Sequence, residues 1–196
     1  QLWVVPAVGD LQFSSTNPPL VELGPAGHAV VTRDGVVLAV GPEDGIRYRI
    51  ESLVDLPEAS EFPKVGEFQL AAVGDRLVAL DESTNQLVID GGPTVDLGEH
   101  VGLRLQQTGP ASDVAVVATG DALLKIAMGS GEITVIDAEV DGTETDAEAV
   151  AAPVNQDGCI HGAWADSGRY VLQCDAEGSP DNAEIIEIPQ PTAGSR

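Results

Sequence analysis

Four evenly spaced hairpin signals constrain the fold of this chain more than any other feature. In each signal a tight-turn pair separates two apolar runs, and the turn centres fall at residues 34/35, 74/75, 120/121 and 166/167. A pair such as Asp34-Gly35 is typical of a two-residue hairpin, because that turn needs a positive φ at both centres. The intervals of 40, 46 and 46 residues match the repeat of propeller blades and exceed that of leucine-rich or ankyrin repeats.

Short apolar runs behind each hairpin predict further strands. We expect a third strand at residues 46–50, 86–89, 133–136 and 185–188, and a fourth at 52–56 and 94–97. Four strands per repeat is the blade pattern. The sequence therefore predicts an all-β fold, namely a β-propeller or partial propeller of about four four-stranded blades. A β-sandwich is the alternative, since it also combines many short strands with turns.

The repeats predict one all-β region over residues 1–196 that is part of a larger propeller. Its approximate repeats are residues 28–57, 68–98, 112–150 and 157–189, preceded by a partial blade at 1–23 with strands at 2–6 and 20–23. The last repeat lacks a clear fourth strand, and the acidic, Ala-rich segment 141–152 is expected to be a loop. Such blades do not close a ring by themselves, and their open edges favour a homodimer because unpaired strands invite pairing.

Composition restricts the partners of the chain. Nine basic and 32 acidic residues give a net charge of -23, which argues against nucleic acid and against anionic membrane surfaces. No run of about 18 apolar residues is present, so we expect no membrane insertion within this segment. The sequence starts without Met and directly with a strand-like run. We therefore expect a piece of a longer protein, with its targeting and anchoring signals outside this segment.

The two cysteines are predicted to form a disulfide bond. With the turn centred at 166/167, Cys159 lies directly opposite Cys174, just as Trp164 lies opposite Arg169. Opposed residues of a hairpin bring their Cβ atoms to about 4.5–5.5 Å, close to what a disulfide needs. Two buried free thiols are the alternative, whereas a zinc site lacks two further ligands at a recognisable spacing. A disulfide implies an oxidising location, either extracellular or at the cell surface.

Motifs for catalysis, cofactors or metals are missing from the sequence. It has no HExxH, GxSxG, P-loop or GxGxxG pattern, and its three histidines are isolated. His161 lies near Cys159, but a cysteine held in a disulfide cannot act as a nucleophile. The acidic clusters at 81–82, 139–146 and 175–181 lack the EF-hand register and are expected to be solvated loops. We therefore predict no catalytic, cofactor-binding or metal-binding residues, and we expect Trp3 and Trp164 to be core residues.

Three segments resemble a known family. Residues 157–164 followed by Cys174-Asp175, the opening residues 2–6 and the segment 90–97 are similar to the N-terminal ectodomain of large actinobacterial envelope proteins. The resemblance covers most of the chain. It implies one membrane segment, a propeller-like region and then tandem Ig-like or fibronectin type III repeats. It also implies genomic neighbours such as a MoxR-type ATPase, and it brings no catalytic residues.

These observations favour a non-catalytic role. We expect an extracellular interaction module of a cell-envelope protein that binds an unidentified protein or glycan, is not an enzyme and uses no cofactor. A structural spacer in a surface-anchored repeat protein is the alternative. A propeller-type enzyme is the third hypothesis, and it predicts a central polar pocket.

Overall fold

The computed structural model describes residue 2 and residues 19–51, 55–138, 149–155, 157–174 and 182–189. Within these residues, sixteen strands form four antiparallel sheets of four strands each. Among them, no helix is long and apolar enough to cross a membrane. The all-β prediction is therefore confirmed.

The strands of each sheet lie side by side in chain order, and we call the sheets blades 1 to 4. Blade 1 contains β1 (His28–Val31), β2 (Val37–Gly41), β3 (Ile46–Ile50) and β4 (Glu58–Glu61), and blade 2 contains β5 (Phe68–Val73), β6 (Arg76–Asp81), β7 (Gln86–Ile89) and β8 (Thr94–Asp96). Blade 3 contains β9 (Arg104–Leu105), β10 (Val114–Ala118), β11 (Ala122–Ala127) and β12 (Ile133–Asp137), and blade 4 contains β13 (Ala149–Ala152), β14 (Cys159–Trp164), β15 (Arg169–Cys174) and β16 (Glu184–Glu187).

The first strands of consecutive blades lie next to one another. Strand β1 contacts β5, β5 contacts β9, and β9 contacts β13. Between blades 2 and 3 this contact includes a parallel bridge from Val73 to Gly109, and the Gly109 amide donates a hydrogen bond of 3.0 Å to the Ala72 carbonyl. The four sheets therefore radiate from a shared axis with their first strands innermost, as in a propeller. A sandwich would instead pack two sheets face to face.

The apolar core lies between adjacent blades. Side chains alternate along each strand, so both faces of an inner blade are covered. In β6, for example, Leu77 packs toward blade 1 while Val78 packs toward blade 3. Trp164 of blade 4 packs against Leu123 and Ile136 of blade 3. Val, Leu, Ile and Ala make up most of this core.

The described part of the N-terminal segment covers the other face of blade 1. Leu2 forms an antiparallel bridge with Val21. Val21 and Leu23 are buried against Ala39, with Tyr48 packed beside them. The predicted partial blade is therefore represented by this strand contact, while the other residues of the predicted strand at 2–6 lie outside the described residues.

The predicted hairpins all exist, although the first is centred on Asp34 rather than between Asp34 and Gly35, and only Gly35 of that pair has a positive φ. They occupy two different positions in the blades. In blades 1 and 2 the hairpin joins the first and second strands, whereas in blades 3 and 4 it joins the second and third. The innermost strands β9 and β13 therefore precede the predicted hairpins, and each begins before its predicted repeat. A tight turn reports that two strands are adjacent, and it carries no information about which of them is innermost.

Several strand predictions are corrected by the structure. Residues 149–152 of the predicted loop form β13, while 141–148 lie outside the described residues. The predicted third strands at 133–136 and 185–188 overlap β12 and β16, which are the fourth strands of blades 3 and 4. The last blade therefore has the fourth strand that the sequence did not show. In blade 1 the fourth strand is Glu58–Glu61 rather than 52–56, of which 52–54 lie outside the described residues. Strand β4 is exposed at all four positions, so it has no apolar pattern.

Candidate functional site

Segments that follow three inner strands meet at one end of the axis. They line a cavity of about 560 Å³, which we call the axial pocket. Blade 1 contributes Val31 and Arg33, the segment after β9 contributes residues 108–110, and the segment after β13 contributes residues 153–155. Because parallel inner strands end at the same side of a propeller, chain segments far apart in sequence become neighbours here.

Most of the pocket wall is apolar. Val31 is 59% exposed at its mouth, whereas Val154 is buried, and Pro110 and Pro153 complete the wall. Blades 3 and 4 approach each other closely at Gly109, where an added Cβ would lie 2.3 Å from the Cβ of Pro153. A side chain at residue 109 would therefore push the two blades apart and open the wall.

Three polar side chains line the same pocket. The Thr108 hydroxyl oxygen accepts a hydrogen bond of 3.0 Å from the Ala72 amide. The Asn155 side-chain oxygen accepts hydrogen bonds of 2.9 Å from the amides of Asp157 and Cys159. Arg33 is the one ionisable side chain among the described lining residues, and it is exposed. The pocket therefore carries a positive charge within a strongly acidic chain.

The predicted disulfide bond is confirmed. Cys159 and Cys174 lie directly opposite each other in the β14–β15 register, and they are bonded with Cα atoms 3.9 Å apart. Trp164 lies opposite Arg169, as the same turn centre predicts. The bond closes the start of β14 against the end of β15, and the Cys159 amide also anchors Asn155 of the axial pocket. Neither sulfur is available as a nucleophile or a thiolate ligand.

The histidines lie in three separate places, and none of them lines the axial pocket. The His28 ring packs edge-on against Phe68 with centroids 4.9 Å apart. His100 Nδ1 lies 3.9 Å from Asp121 Oδ1. His161 contacts the Tyr170 hydroxyl on blade 4. Within the described residues, no group of three or more His, Cys, Asp or Glu side chains could hold a metal ion.

Of the three acidic clusters, the structure describes only Asp81-Glu82. The Asp81 carboxylate accepts hydrogen bonds from the Ser83 hydroxyl at 2.6 Å and the Ser83 amide at 2.9 Å, and a further one from the Gly66 amide at 3.2 Å. Burial raises the pKa of Asp81, but these hydrogen bonds lower it further than burial raises it, so the pKa is below its usual value. Asp81 therefore organises a turn. The clusters at 139–146 and 175–181 lie outside the described residues.

The type of polar contact between adjacent blades differs from one interface to the next. Between blades 1 and 2, the Arg47 guanidinium pairs with the Asp90 carboxylate. Between blades 2 and 3, Arg76 donates to the Met128 carbonyl at 3.3 Å. Between blades 3 and 4, the buried Trp164 donates its indole N–H to the Thr119 carbonyl at 2.7 Å. The prediction that Trp164 is a core residue is confirmed, while Trp3 lies outside the described residues.

The axial pocket was not predicted from the sequence. Its residues follow inner strands, and two of those strands, β9 and β13, were not recognised. The sequence signal that could have found them is a strand-breaking pair behind each one, Gly109-Pro110 and Ala152-Pro153, because proline ends a strand inside a sheet.

Comparisons with known proteins show the fold. No family model matches the chain, and no curated protein matches it. Among solved structures, it is similar to virginiamycin B lyase from Staphylococcus aureus, with a TM-score of 0.54 and 14% identity over 84% of this chain and 56% of that chain. A catalytically inactive variant of that lyase with quinupristin gives a TM-score of 0.52 and 12% identity over 85% and 56% of the two chains.

A third similar structure is Hsv2 of Kluyveromyces lactis, with a TM-score of 0.51 and 14% identity over 82% of this chain and 49% of that chain. The chain thus spans about 56% of the length of the lyases that it matches. The propeller-type fold predicted from the sequence is therefore confirmed.

These structures correct the functional expectation. A non-catalytic extracellular interaction module was expected, with a structural spacer as its alternative, because catalytic motifs are missing from the sequence. Structures with this fold include lyases. The missing catalytic motifs are therefore no argument that the chain is an interaction module or a spacer. At 12–14% identity the likeness shows the fold alone, and the predicted absence of enzymatic activity and the predicted homodimer stay predictions.

Proposed function

We propose that the axial pocket binds a small molecule and that this binding is the function of the chain. The observation that carries the proposal is the meeting of segments from blades 1, 3 and 4 around a cavity of about 560 Å³. Pockets for small ligands are typically about 300–1,000 Å³, with mostly apolar walls and a few polar groups that fix orientation. The axial pocket has this composition.

Several contacts hold the pocket wall in a fixed shape. The segment after β9 is hydrogen-bonded along β5, with the Gly109 amide donating to Ala72. Gly109 packs against Pro153, and Asn155 is held by two backbone amides. A wall that is ordered before the ligand arrives lowers the entropic cost of binding.

Ligand-detected and amide-detected NMR with a fragment library tests this function. We expect shared ligands to shift the amide signals of residues 31–33, 108–109 and 154–155. The Val31→Trp variant fills the mouth of the pocket and should abolish those shifts. The control variant Val135→Trp changes a valine that is 46% exposed in blade 3, away from the pocket, and should leave them intact. Fragments that never shift these amides would refute the proposal.

Turnover of the ligand in the same pocket is a second candidate. It is favoured by the lyase structures, one of which contains quinupristin. Incubation of the purified chain with virginiamycin B or quinupristin, followed by mass spectrometry, tests this candidate. A product that forms with the wild-type chain and not with Val31→Trp supports it, and unchanged substrate after prolonged incubation rejects it.

The proposed location is outside the cytoplasm, at the cell surface of an actinobacterium. Two observations support this location: the disulfide bond, which persists in oxidising compartments, and the resemblance of residues 157–164 to actinobacterial envelope proteins. Surface biotinylation of intact cells tests it with the full-length protein. Labelling equal to that of a cytoplasmic marker would contradict a surface location.

A further inference from the structure

We propose that the axial pocket selects an anionic ligand, namely a carboxylate carried on an apolar body. This inference rests on the proposed small-molecule function and specifies its ligand class. It follows from the hydrogen-bond donors of the pocket that have no acceptor among the described contacts of the protein. The described hydrogen bonds of Thr108 and Asn155 use their acceptor oxygens only, and the donors of these two side chains and of Arg33 remain.

Thr108 provides the first of these donors. A threonine hydroxyl has one proton to donate and two lone pairs to accept with. Its oxygen already accepts from the Ala72 amide, and this bond fixes the side chain between blades 2 and 3. The hydroxyl proton is left to point at an acceptor in the pocket.

Asn155 likewise has an occupied acceptor oxygen and two available donor protons. Its side-chain oxygen accepts from the amides of Asp157 and Cys159, which identifies the oxygen end of the amide by its partners. The NH₂ group at the other end carries two donor protons. Asn155 thus presents donors to a ligand, and its orientation is fixed by the turn that leads into β14.

Arg33 adds a full positive charge to these donors. A guanidinium has five N–H donors and no acceptor, and no described residue of the chain forms an ion pair with it. The net charge of -23 repels anions at long range, but exposed charges more than about 8 Å away are largely screened at 0.15 M salt. Among its lining residues the pocket therefore offers donors and one cation, which match a carboxylate.

The apolar wall determines the rest of the ligand. Val31, Pro110, Pro153 and Val154 present aliphatic surface and no side-chain hydrogen-bonding group. Contact with this surface favours an aromatic or aliphatic body next to the carboxylate, since burial of apolar area drives its binding.

Three ligands with one body and different head groups test the inference. We would titrate the whole chain with 3-phenylpropanoate, 3-phenylpropanamide and 3-phenylpropylamine at 0.15 M salt and follow the amide signals of residues 31–33 and 154–155. We expect the carboxylate to bind about tenfold more tightly than the amide, because a charge-assisted hydrogen bond is stronger than a neutral one. The amine should not saturate these signals.

Two matched pairs of variants attribute the selectivity to the pocket. Asn155→Asp keeps an oxygen for the two amides and replaces the donors with a negative charge, so it should remove the preference for the carboxylate. Asn182→Asp adds the same charge at an exposed position before β16 and should not. Likewise, Arg33→Gln should weaken carboxylate binding about tenfold, whereas Arg104→Gln, in an exposed arginine of β9, should not.

The outcomes separate this inference from the proposed function. If the amide or the amine binds in the pocket at least as tightly as the carboxylate, the ligand class is wrong and the small-molecule function stands. If neither these probes nor any library fragment shifts the pocket amides, the function itself fails. Equal effects of Asn155→Asp and Asn182→Asp would show that the selectivity comes from overall charge, and this would also overturn the inference.

Discussion

Blades 1 and 2 differ from blades 3 and 4 in the position of the hairpin that the sequence predicts. In the first pair the hairpin includes the innermost strand, as in β1–β2 and β5–β6, whereas in the second pair it lies one strand further out, in β10–β11 and β14–β15. The inner strands begin at residues 28, 68, 104 and 149. One architecture is thus built with two placements of the same turn, which shows that packing around the axis, and not the turn, determines the order of strands.

The interfaces between blades differ in a related way. The interface of blades 1 and 2 includes the Arg47–Asp90 ion pair, in which both side chains are about 20% exposed (20% and 18%). The interface of blades 3 and 4 is centred on Trp164, which is 1% exposed. Blade 4 also contains the disulfide bond. We therefore expect apolar and covalent contacts to stabilise the second half, while charge contributes more to the first half.

The largest expected effect is at Trp164. Trp164→Ala should lower the free energy of unfolding by about 3–5 kcal/mol, because it leaves a cavity between blades 3 and 4 and an unpaired Thr119 carbonyl. Denaturant unfolding followed by circular dichroism measures this change. Trp164→Phe is the control, since it keeps most of the volume and should cost about 1–2 kcal/mol. A loss below about 1 kcal/mol for the alanine variant would contradict the Trp-centred interface.

The disulfide bond should have the next largest effect. Replacing both Cys159 and Cys174 by Ala should lower the free energy of unfolding by about 3 kcal/mol, because the bond restricts a loop of about 15 residues in the unfolded chain. Denaturant unfolding of the disulfide-bonded chain and of the double variant measures this change. A loss below about 1 kcal/mol would contradict a restriction of the unfolded chain by this bond.

A smaller effect is expected in blade 2, at Asp81. Its pKa is lowered in the folded chain, so its stabilisation is present above the unfolded pKa of about 3.9 and is lost as the pH falls through the folded pKa. Asp81→Asn should therefore cost about 1–2 kcal/mol at pH 7 and less below about pH 4. Unfolding curves at several pH values measure this, with Asp34→Asn as the control because Asn-Gly also forms a hairpin turn. A cost for Asp81→Asn that does not change with pH would argue against the charged carboxylate.

The smallest effect concerns the Arg47–Asp90 ion pair. A double-mutant cycle with Arg47→Met and Asp90→Asn should give a coupling energy of about 1 kcal/mol that decreases with added salt. The Arg169–Glu187 pair of blade 4, in which the Glu side chain is 78% exposed, should couple more weakly. Similar coupling energies for the two pairs would contradict a larger electrostatic contribution in blades 1 and 2 than in blades 3 and 4.

The sequence predicted those parts of the fold that depend on local pairing. A turn centre fixes which residues are opposite, so the Cys159–Cys174 pair followed from the position of one turn. Apolar runs on either side of a turn likewise predicted the strands of the blade interiors. Strand β9 has two residues and β13 consists of Ala and Val, so neither had a distinct pattern. The axial pocket could not be predicted, because its residues become neighbours only when the innermost strands are known.

The position of β13 is the point on which both the order of strands and the axial pocket depend. If β13 is the innermost strand of blade 4, residues 149–152 pair with residues 161–164 in antiparallel register. Nuclear Overhauser contacts between the α-protons of these two segments, measured on the isotope-labelled chain, test this pairing directly. We expect the strongest contact between the α-protons of Ala151 and Gly162, because this pair of the register does not exchange hydrogen bonds and its Cα atoms lie closer together. Their absence, with residues 161–164 contacting only β15, would make β14 the innermost strand and would remove residues 153–155 from the axis.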